Sequence, residues 1–264
     1  MSWWSLVHWY ETVPNTMEVA AQAVTQGAIE GTTIIAGGQF RGRGRHGRTW
    51  FSAPGTGLFS TTVVGPIPVD QQGSYVPTGD SHPLLLSSLS LVAGAAVLEA
   101  VRDLGVADGQ LQWPNDVVVH HKKLAGVLLE TVQGASGRFV LVGIGLNIAR
   151  KQDIARSLPA DIVDRYVSIA DCLATKEPAA GLVARAAERV LAQLEAWYDG
   201  WRECGLRDTQ AIWRQADALL GIEVQALGPD GFVSGVGRGL SADGALRIET
   251  ADGLYEMCTG EIIR

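Results

Sequence analysis

The chain has 264 residues, 47% of them hydrophobic and 19% charged, with a mean hydropathy of +0.13; this excludes a disordered, fibrous or low-complexity protein and suits one large domain, or a medium one with a small companion. Its 21 basic and 28 acidic residues leave a net charge of -7, which disfavours general coating of nucleic acid, so any basic site must be local. The three cysteines, Cys172, Cys204 and Cys258, are odd in number and spaced for neither a disulfide framework nor zinc, which points to a reducing, cytoplasmic setting.

Met1 to Tyr10 carries three tryptophans and no basic leader region, and reads as a buried first strand. Ala20, Ala21, Val24 and Ala28 then recur at helical spacing, predicting a helix from Thr16 to Ile29, followed by a strand over Thr32 to Ala36. A glycine-arginine segment separates these from the β-branched run Leu58 to Val64. Gly65 to Pro83 has loop composition. The apolar stretch that follows is broken by Ser87, Ser88, Ser90 and Glu99, so a packed helix over Leu84 to Leu104 is expected and a membrane span is not. Strands are expected at Val117 to Val119, Lys123 to Val132 and Arg138 to Ile148, the last two joined as a hairpin at Gly134 and Gly137, in an antiparallel or mixed sheet. Gly181 to Ala218 is helical, with a stripe of Leu182, Ala186, Val190, Leu194 and Trp197. Past Leu220, short strands at 222–227, 232–240, 245–249 and 254–258 alternate with Asp-Gly turns and suggest a small barrel. The expected units are residues 1–218 and 219–264.

Three segments concentrate polar chemistry. In Gly42 to Trp50, Arg43, Arg45 and Arg48 alternate with Gly42, Gly44 and Gly47, directly after Gln39 and Arg41. Glycines permit positive φ and close backbone approach, and guanidinium forks bind carboxylate or phosphate, so the pattern suits an anion; a solvated basic loop is the plainer reading. The second runs Gln112-Trp113-Pro114-Asn115-Asp116, then Lys122-Lys123-Leu124-Ala125-Gly126. Only four lysines occur in the chain, and two of them head an apolar strand, where a desolvated ammonium needs an anionic partner, either a ligand or simply solvent at a hairpin edge. The third is Gly143-Ile144-Gly145-Leu146-Asn147, which lacks the third glycine of a dinucleotide fingerprint and by itself reads as a bulged strand end.

In this order and at these separations the three segments resemble the biotin-protein ligase family, over roughly residues 9 to 149 and more weakly through Gly244-Ala245-Leu246 and Gly260-Glu261. The resemblance implies an α+β fold: a mixed sheet with helices, similar to the catalytic domain of class II aminoacyl-tRNA synthetases, followed by an SH3-like barrel. It implies activation of biotin by ATP, with Mg2+, as biotinyl-5'-adenylate, and transfer to one lysine of a biotin carboxyl carrier protein. Lys123 and Arg45 are the implied catalytic residues. Asn15, Thr16, Gln39, Gly42, Arg43, Gly44, Arg45, Lys123 and Gly126 are implied in binding biotin. Arg45, Arg48, Trp50, Asn115, Asp116 and Asn147 are implied on the ATP side; no metal ligand is identified. Asn15-Thr16-Met17 replaces the family's Ser-Thr-Asn, Gln112 a lysine, and Arg41 a small residue. Because the motif at Thr16 comes so early, a preceding DNA-binding repressor domain is not expected. Association through sheet edges leaves monomer and homodimer open. The alternatives are a lipoate ligase or octanoyl transferase of the same fold, and an RNA-binding module built on the Arg-Gly loop.

Overall fold

The computed structural model describes residues 3–67, 88–174 and 177–263. After a 3-10 turn over Trp3–Leu6, the first unit contains strands β1 (Val7–Tyr10), β2 (Thr33–Ala36), β3 (Gly57–Val64), β4 (Gly109–Gln112), β5 (Asp116–Val119), β6 (Lys122–Gly134) and β7 (Gly137–Asn147). They form one sheet in the order β1-β2-β3-β7-β6-β5-β4, parallel between β1 and β2 and antiparallel elsewhere.

Alternate residues of the central strands feed two apolar layers, as strand geometry requires. Ile34, Val63, Phe139 and Leu141 meet Met17, Ala20 and Val24 of helix α1 (Thr16–Thr25). Ile35, Val64, Val140 and Val142 join the larger cluster with helices α2 (Leu89–Asp103) and α6 (Ala179–Cys204). Small residues of α2, Ala93, Ala96, Val97 and Ala100, are completely buried and allow close helix packing. Between β7 and α6 lie three one-turn helices, α3 (Lys151–Ile154), α4 (Ala160–Val163) and α5 (Ile169–Cys172). Helix α7 (Arg207–Ala216) then leads to β8 (Glu223–Gly228), β9 (Gly231–Leu240), β10 (Leu246–Thr250), β11 (Gly253–Met257) and β12 (Glu261–Ile263), antiparallel in the order β11-β10-β9-β8-β12. None of the helices in the described residues is long and apolar enough to cross a membrane.

Several expectations are corrected. The opening segment is not a buried strand: Trp3 is buried in the 3-10 turn, but β1 is a sheet edge with Trp9 50% and Tyr10 41% exposed. Helix α1 stops at Thr25, ahead of positive-φ Gly27. The helical stretch 181–218 is two helices, broken at Gly205, whose φ of 66 suits glycine. In α6 the buried aromatic residues are Tyr198 and Trp201, with Trp197 only partly covered. Strand β4, whose β-branched content is nil, was not expected. Most of the expected loop over 65–83, and the start of the expected 84–104 helix, lie outside the described residues.

Candidate active site

Two neighbouring strands meet at glycines to form the floor. Gly126 of β6 and Gly145 of β7 are direct partners in the ladder, and the Trp50 indole lies on both: an added Cβ would fall 3.0 Å from Trp50 Cζ3 at Gly126 and 2.7 Å from Cζ2 at Gly145. A third glycine, Gly143, meets Met17 Sδ in the same way on α1's side. Above the indole, Lys123 Nζ is 5.1 Å from the ring centroid and 2.7 Å from Asp116 Oδ1; Asp116 itself is opposite Gly126. The anionic partner that Lys123 requires is therefore supplied by the chain. Its side chain remains 38% exposed, against 19% for Asp116, so the ammonium still faces outward.

The backbone under Lys123 is braced from both sides. Lys123 N-H donates to Arg165 O at 2.7 Å, and Val167 N-H donates back to Lys123 O at 3.3 Å. Buried Asn147 uses its amide nitrogen to donate to Lys123 O at 3.0 Å and Val167 O at 3.1 Å, which leaves its oxygen unused in these bonds.

The arginine segment folds back on itself: Trp50 N-H bonds Gly42 O at 2.9 Å and Gly44 N-H bonds Arg48 O at 2.7 Å. Positive φ occurs at His46 and Gly47 rather than at Gly42 and Gly44. Gly42 is instead required by space, since a Cβ would collide with Ser52 Oγ and Trp50 O. The three arginines diverge. Arg43 Nη2 pairs with Glu130 Oε1 at 2.6 Å, and Arg48 pairs with Glu261 of β12. Arg45 alone turns inward, its Nη1 3.4 Å from Asn115 Oδ1; burial lowers its pKa, opposed by the charges of Asp116 and Glu261 and assisted by Arg48. Asn115 is locked by its own amide donating to Val127 O at 2.6 Å. Lys123, Asp116, Asn115 and Arg45 thus form one line joining two of the motifs, while Arg43 is held elsewhere by Glu130.

At the N-terminus of α1 a polar chain is almost fully committed. Thr61 Oγ1 donates to Thr16 Oγ1 at 2.7 Å, and Thr16 N-H and Oγ1 donate to Gln39 Oε1 at 2.8 and 3.3 Å. Gln39 Nε2 donates to Ser52 Oγ at 2.9 Å, and Ser52 to Trp50 O at 3.0 Å. Asn15, 1% exposed, caps the helix through Oδ1 to Glu18 N-H at 2.9 Å, and its Nδ2 is buried without a partner, as is Trp50 Nε1. A buried donor left this way costs about 1–3 kcal/mol unless a ligand accepts it. Thr61, Ser52, Glu130 and the backbone of Arg165 to Val167 escaped sequence reading because each is an ordinary residue in an ordinary strand or loop; Gly260-Glu261 carried the weak signal at the C-terminus. No group of three or more His, Cys, Asp or Glu among the described residues is placed to hold a metal.

Residues 9–147 match the family model described as the biotin/lipoate A/B protein ligase family, and residues 219–264 match the biotin protein ligase C-terminal domain. The chain is 29% identical over 257 residues to a biotin--[acetyl-CoA-carboxylase] ligase of Mycobacterium tuberculosis, covering 96% of this chain and 86% of that protein. It is 24% identical over 256 residues to the bifunctional ligase/repressor BirA of Bacillus subtilis, covering 96% and 72%. Among solved structures it is similar to the biotin protein ligase of Aquifex aeolicus in complex with biotin and ATP, with a TM-score of 0.79, 28% identity and 97% of each chain covered.

Proposed function

The chain belongs to the biotin/lipoate A/B protein ligase family, and from that premise we propose that it is an ATP-dependent biotin-protein ligase, forming biotinyl-5'-adenylate and passing the biotinyl group to a lysine of a biotin carboxyl carrier protein. The observation that carries the reading is the line Lys123, Asp116, Asn115 and Arg45 beside the glycine floor. In the first half-reaction a carboxylate oxygen attacks the α-phosphorus, that O-P bond forms, and the bond to pyrophosphate breaks. Both reactants are anions, so fixed cations must bring them together. Lys123, aimed by Asp116, contacts the biotin carboxylate and the α-phosphate, and Arg45 stabilises charge as pyrophosphate departs. In the second, a lysine amine attacks the acyl carbon, the C-O bond to AMP breaks, and the displaced protons pass to solvent.

The polar chain at α1 receives the biotin head: Thr16 and Gln39 set its orientation, and the orphaned Asn15 Nδ2 is a donor for a carbonyl oxygen. Gly42, Gly44 and Gly126 belong to the biotin side, where Gly42 admits Ser52 Oγ and Trp50 O and Gly126 admits the Trp50 indole, with Arg43 holding the loop through Glu130. Trp50, Arg48, Asn115 and the free oxygen of Asn147 line the nucleotide side. The donor set suits Mg2+ only as an ion carried by the triphosphate and water with at most Asp116 from the chain; when bound it neutralises phosphate charge. Residues 219–264 make the second unit. Biotin-dependent exchange of pyrophosphate into ATP is the expected outcome with purified protein. Exchange supported by lipoate and not by biotin would reassign the substrate within the family, and salt-sensitive RNA affinity with no exchange would overturn the enzyme reading.

A further inference from the structure

A cavity of about 430 Å³ lies in the seam between helix α7 and strands β9 and β10, and none of its lining residues belongs to the site described above. Three of them are arginines: Arg214 from α7, Arg238 from β9 and Arg247 from β10. A bulge brings the last two together. Leu246 stands opposite Leu240 and Ile248 opposite Gly237, so Arg238 and Gly239 face Arg247 alone, with Gly239 at a φ of 77. Bulges re-aim side chains, and like charges across a strand pair repel, so these guanidinium groups call for anions nearby.

The chain supplies those anions only in part. Arg238 donates through Nε, at 2.8 Å, and Nη2 to Glu249 Oε2, and Arg247 donates through Nε alone to Glu256 Oε1 at 2.8 Å. Both glutamates lie outside the cavity lining. The two terminal nitrogens of Arg247 are unused in these bonds, and Arg214 has no hydrogen bond or ion pair among the described residues. Asp217 is the one carboxylate on the lining, and its Oδ1 already accepts Leu219 N-H. Three fixed cations against one carboxylate make this a positive recess on a chain of net charge -7.

We propose that this cavity binds a small organic phosphomonoester, its phosphate held by Arg214 and Arg247 with Arg238 beside them, and its body against Leu220 and Leu240. Guanidinium forks match phosphate oxygens in bidentate geometry. A volume of about 430 Å³ falls within the roughly 300–1,000 Å³ of small-molecule sites and leaves room beside the phosphate for a body the size of a hexose. Because one wall is α7 and the other the five-stranded sheet, the ligand fastens the seam between them. The inference does not depend on the ligase reading.

Calorimetric titration of the full chain at low salt, with glucose 6-phosphate, glucose and inorganic phosphate as probes, tests it. Glucose 6-phosphate should bind with a Kd of about 1 mM or lower, about tenfold tighter than inorganic phosphate, and should raise the melting temperature, whereas glucose should give no heat. Arg214→Gln and Arg247→Gln should each weaken that binding about tenfold and leave the ligand-free melting temperature nearly unchanged, and Lys123→Ala should bind as the parent chain does. Absence of glucose 6-phosphate binding, or undiminished binding in both arginine variants, would overturn the proposal. So would loss of binding in Lys123→Ala, which would put the anion in the candidate active site. Inorganic phosphate binding equally well would overturn the organic ligand.

Discussion

At the scale of single residues, the outcome of replacing Lys123 follows from what stands beside it. Lys123→Ala removes the ammonium above Trp50 and leaves Asp116 Oδ1 without its 2.7 Å ion-pair partner. Because Lys123 is near the start of β6 and its side chain is 38% exposed, the fold should survive. Exchange should fall by at least the 10²–10³-fold typical of a lost transition-state donor, and retained exchange with unchanged circular dichroism would count against its role. Asp217 behaves differently. Its Oδ1 accepts Leu219 N-H at 2.8 Å, but its Oδ2 is buried with no partner, and burial raises its pKa from 3.8 to about 6, against the lowering effect of the Leu219 bond. The folded state therefore holds the proton more tightly than the unfolded chain. The associated stability is fully present below pH 3.8 and is lost as pH rises through 6, a change on the order of 3 kcal/mol. Asp217→Asn should flatten that part of the stability-pH profile and raise the melting temperature at pH 7; an unchanged slope between those pH values in urea titrations would show that Asp217 is solvated. Of this residue scale, the sequence made the scarce lysine and the glycine-flanked arginines visible, because those compositions are unusual in a core. It could not make Asp116 visible as the partner of Lys123, since pairing depends on the register of two strands.

The arginine segment is the element whose behaviour the sequence and the structure describe differently. Alternating glycines suggested a loop freed by positive φ, yet Gly42 serves close packing and Gly44 has an ordinary φ of -119, and the loop is pinned at one side by Arg43–Glu130 and at the other by Arg48–Glu261. Arg43 is thereby a tether to β6. Arg43→Ala should loosen the loop and let adenylate escape, so that bystander proteins mixed with the enzyme become biotinylated at random lysines. If the tether is the cause, Glu130→Gln should produce the same leak although it removes no cation. Streptavidin blots of a bystander protein would decide: leakage from Arg43→Ala with a tight Glu130→Gln enzyme means that Arg43 touches the intermediate itself. Elements with regular periodicity, the β6–β7 hairpin and the α6 stripe, were legible from spacing alone. Strand β4 and edge strand β1 were not, because β4 lacks β-branched residues and β1 exposes Trp9 and Tyr10 where apolarity normally signals burial.

Over the whole molecule, the short strands past Leu220 were legible from their Asp-Gly turns, but the packing of their sheet against the rest of the chain was not. Leu219, Val224, Ala226, Leu246, Ile248 and Met257 belong to the same apolar cluster as α2 and α6. Trp113 Nε1 donates to Gly244 O at 3.2 Å, Ala218 N-H to Leu111 O at 2.8 Å, and Gln210 to the carbonyls of Ser241 and Ala242. At Gly244, with φ of 85, an added Cβ would fall 2.5 Å from Leu91 Cδ1. The two units therefore share one core, and their unfolding should be a single cooperative transition in calorimetry. Gly244→Ala combines a positive-φ penalty with overpacking, together about 2 kcal/mol or more, and should lower that one transition without splitting it. A fragment ending at residue 218 would leave Leu91, Trp113 and Trp213, all at most 3% exposed in the full chain, without their cover, and should aggregate instead of folding into a slower ligase. A monomeric 1–218 fragment melting at the full-length temperature would mean that the shared cluster contributes nothing, and two resolved transitions in the Gly244→Ala chain would mean that the contact at Leu91 is what couples the units.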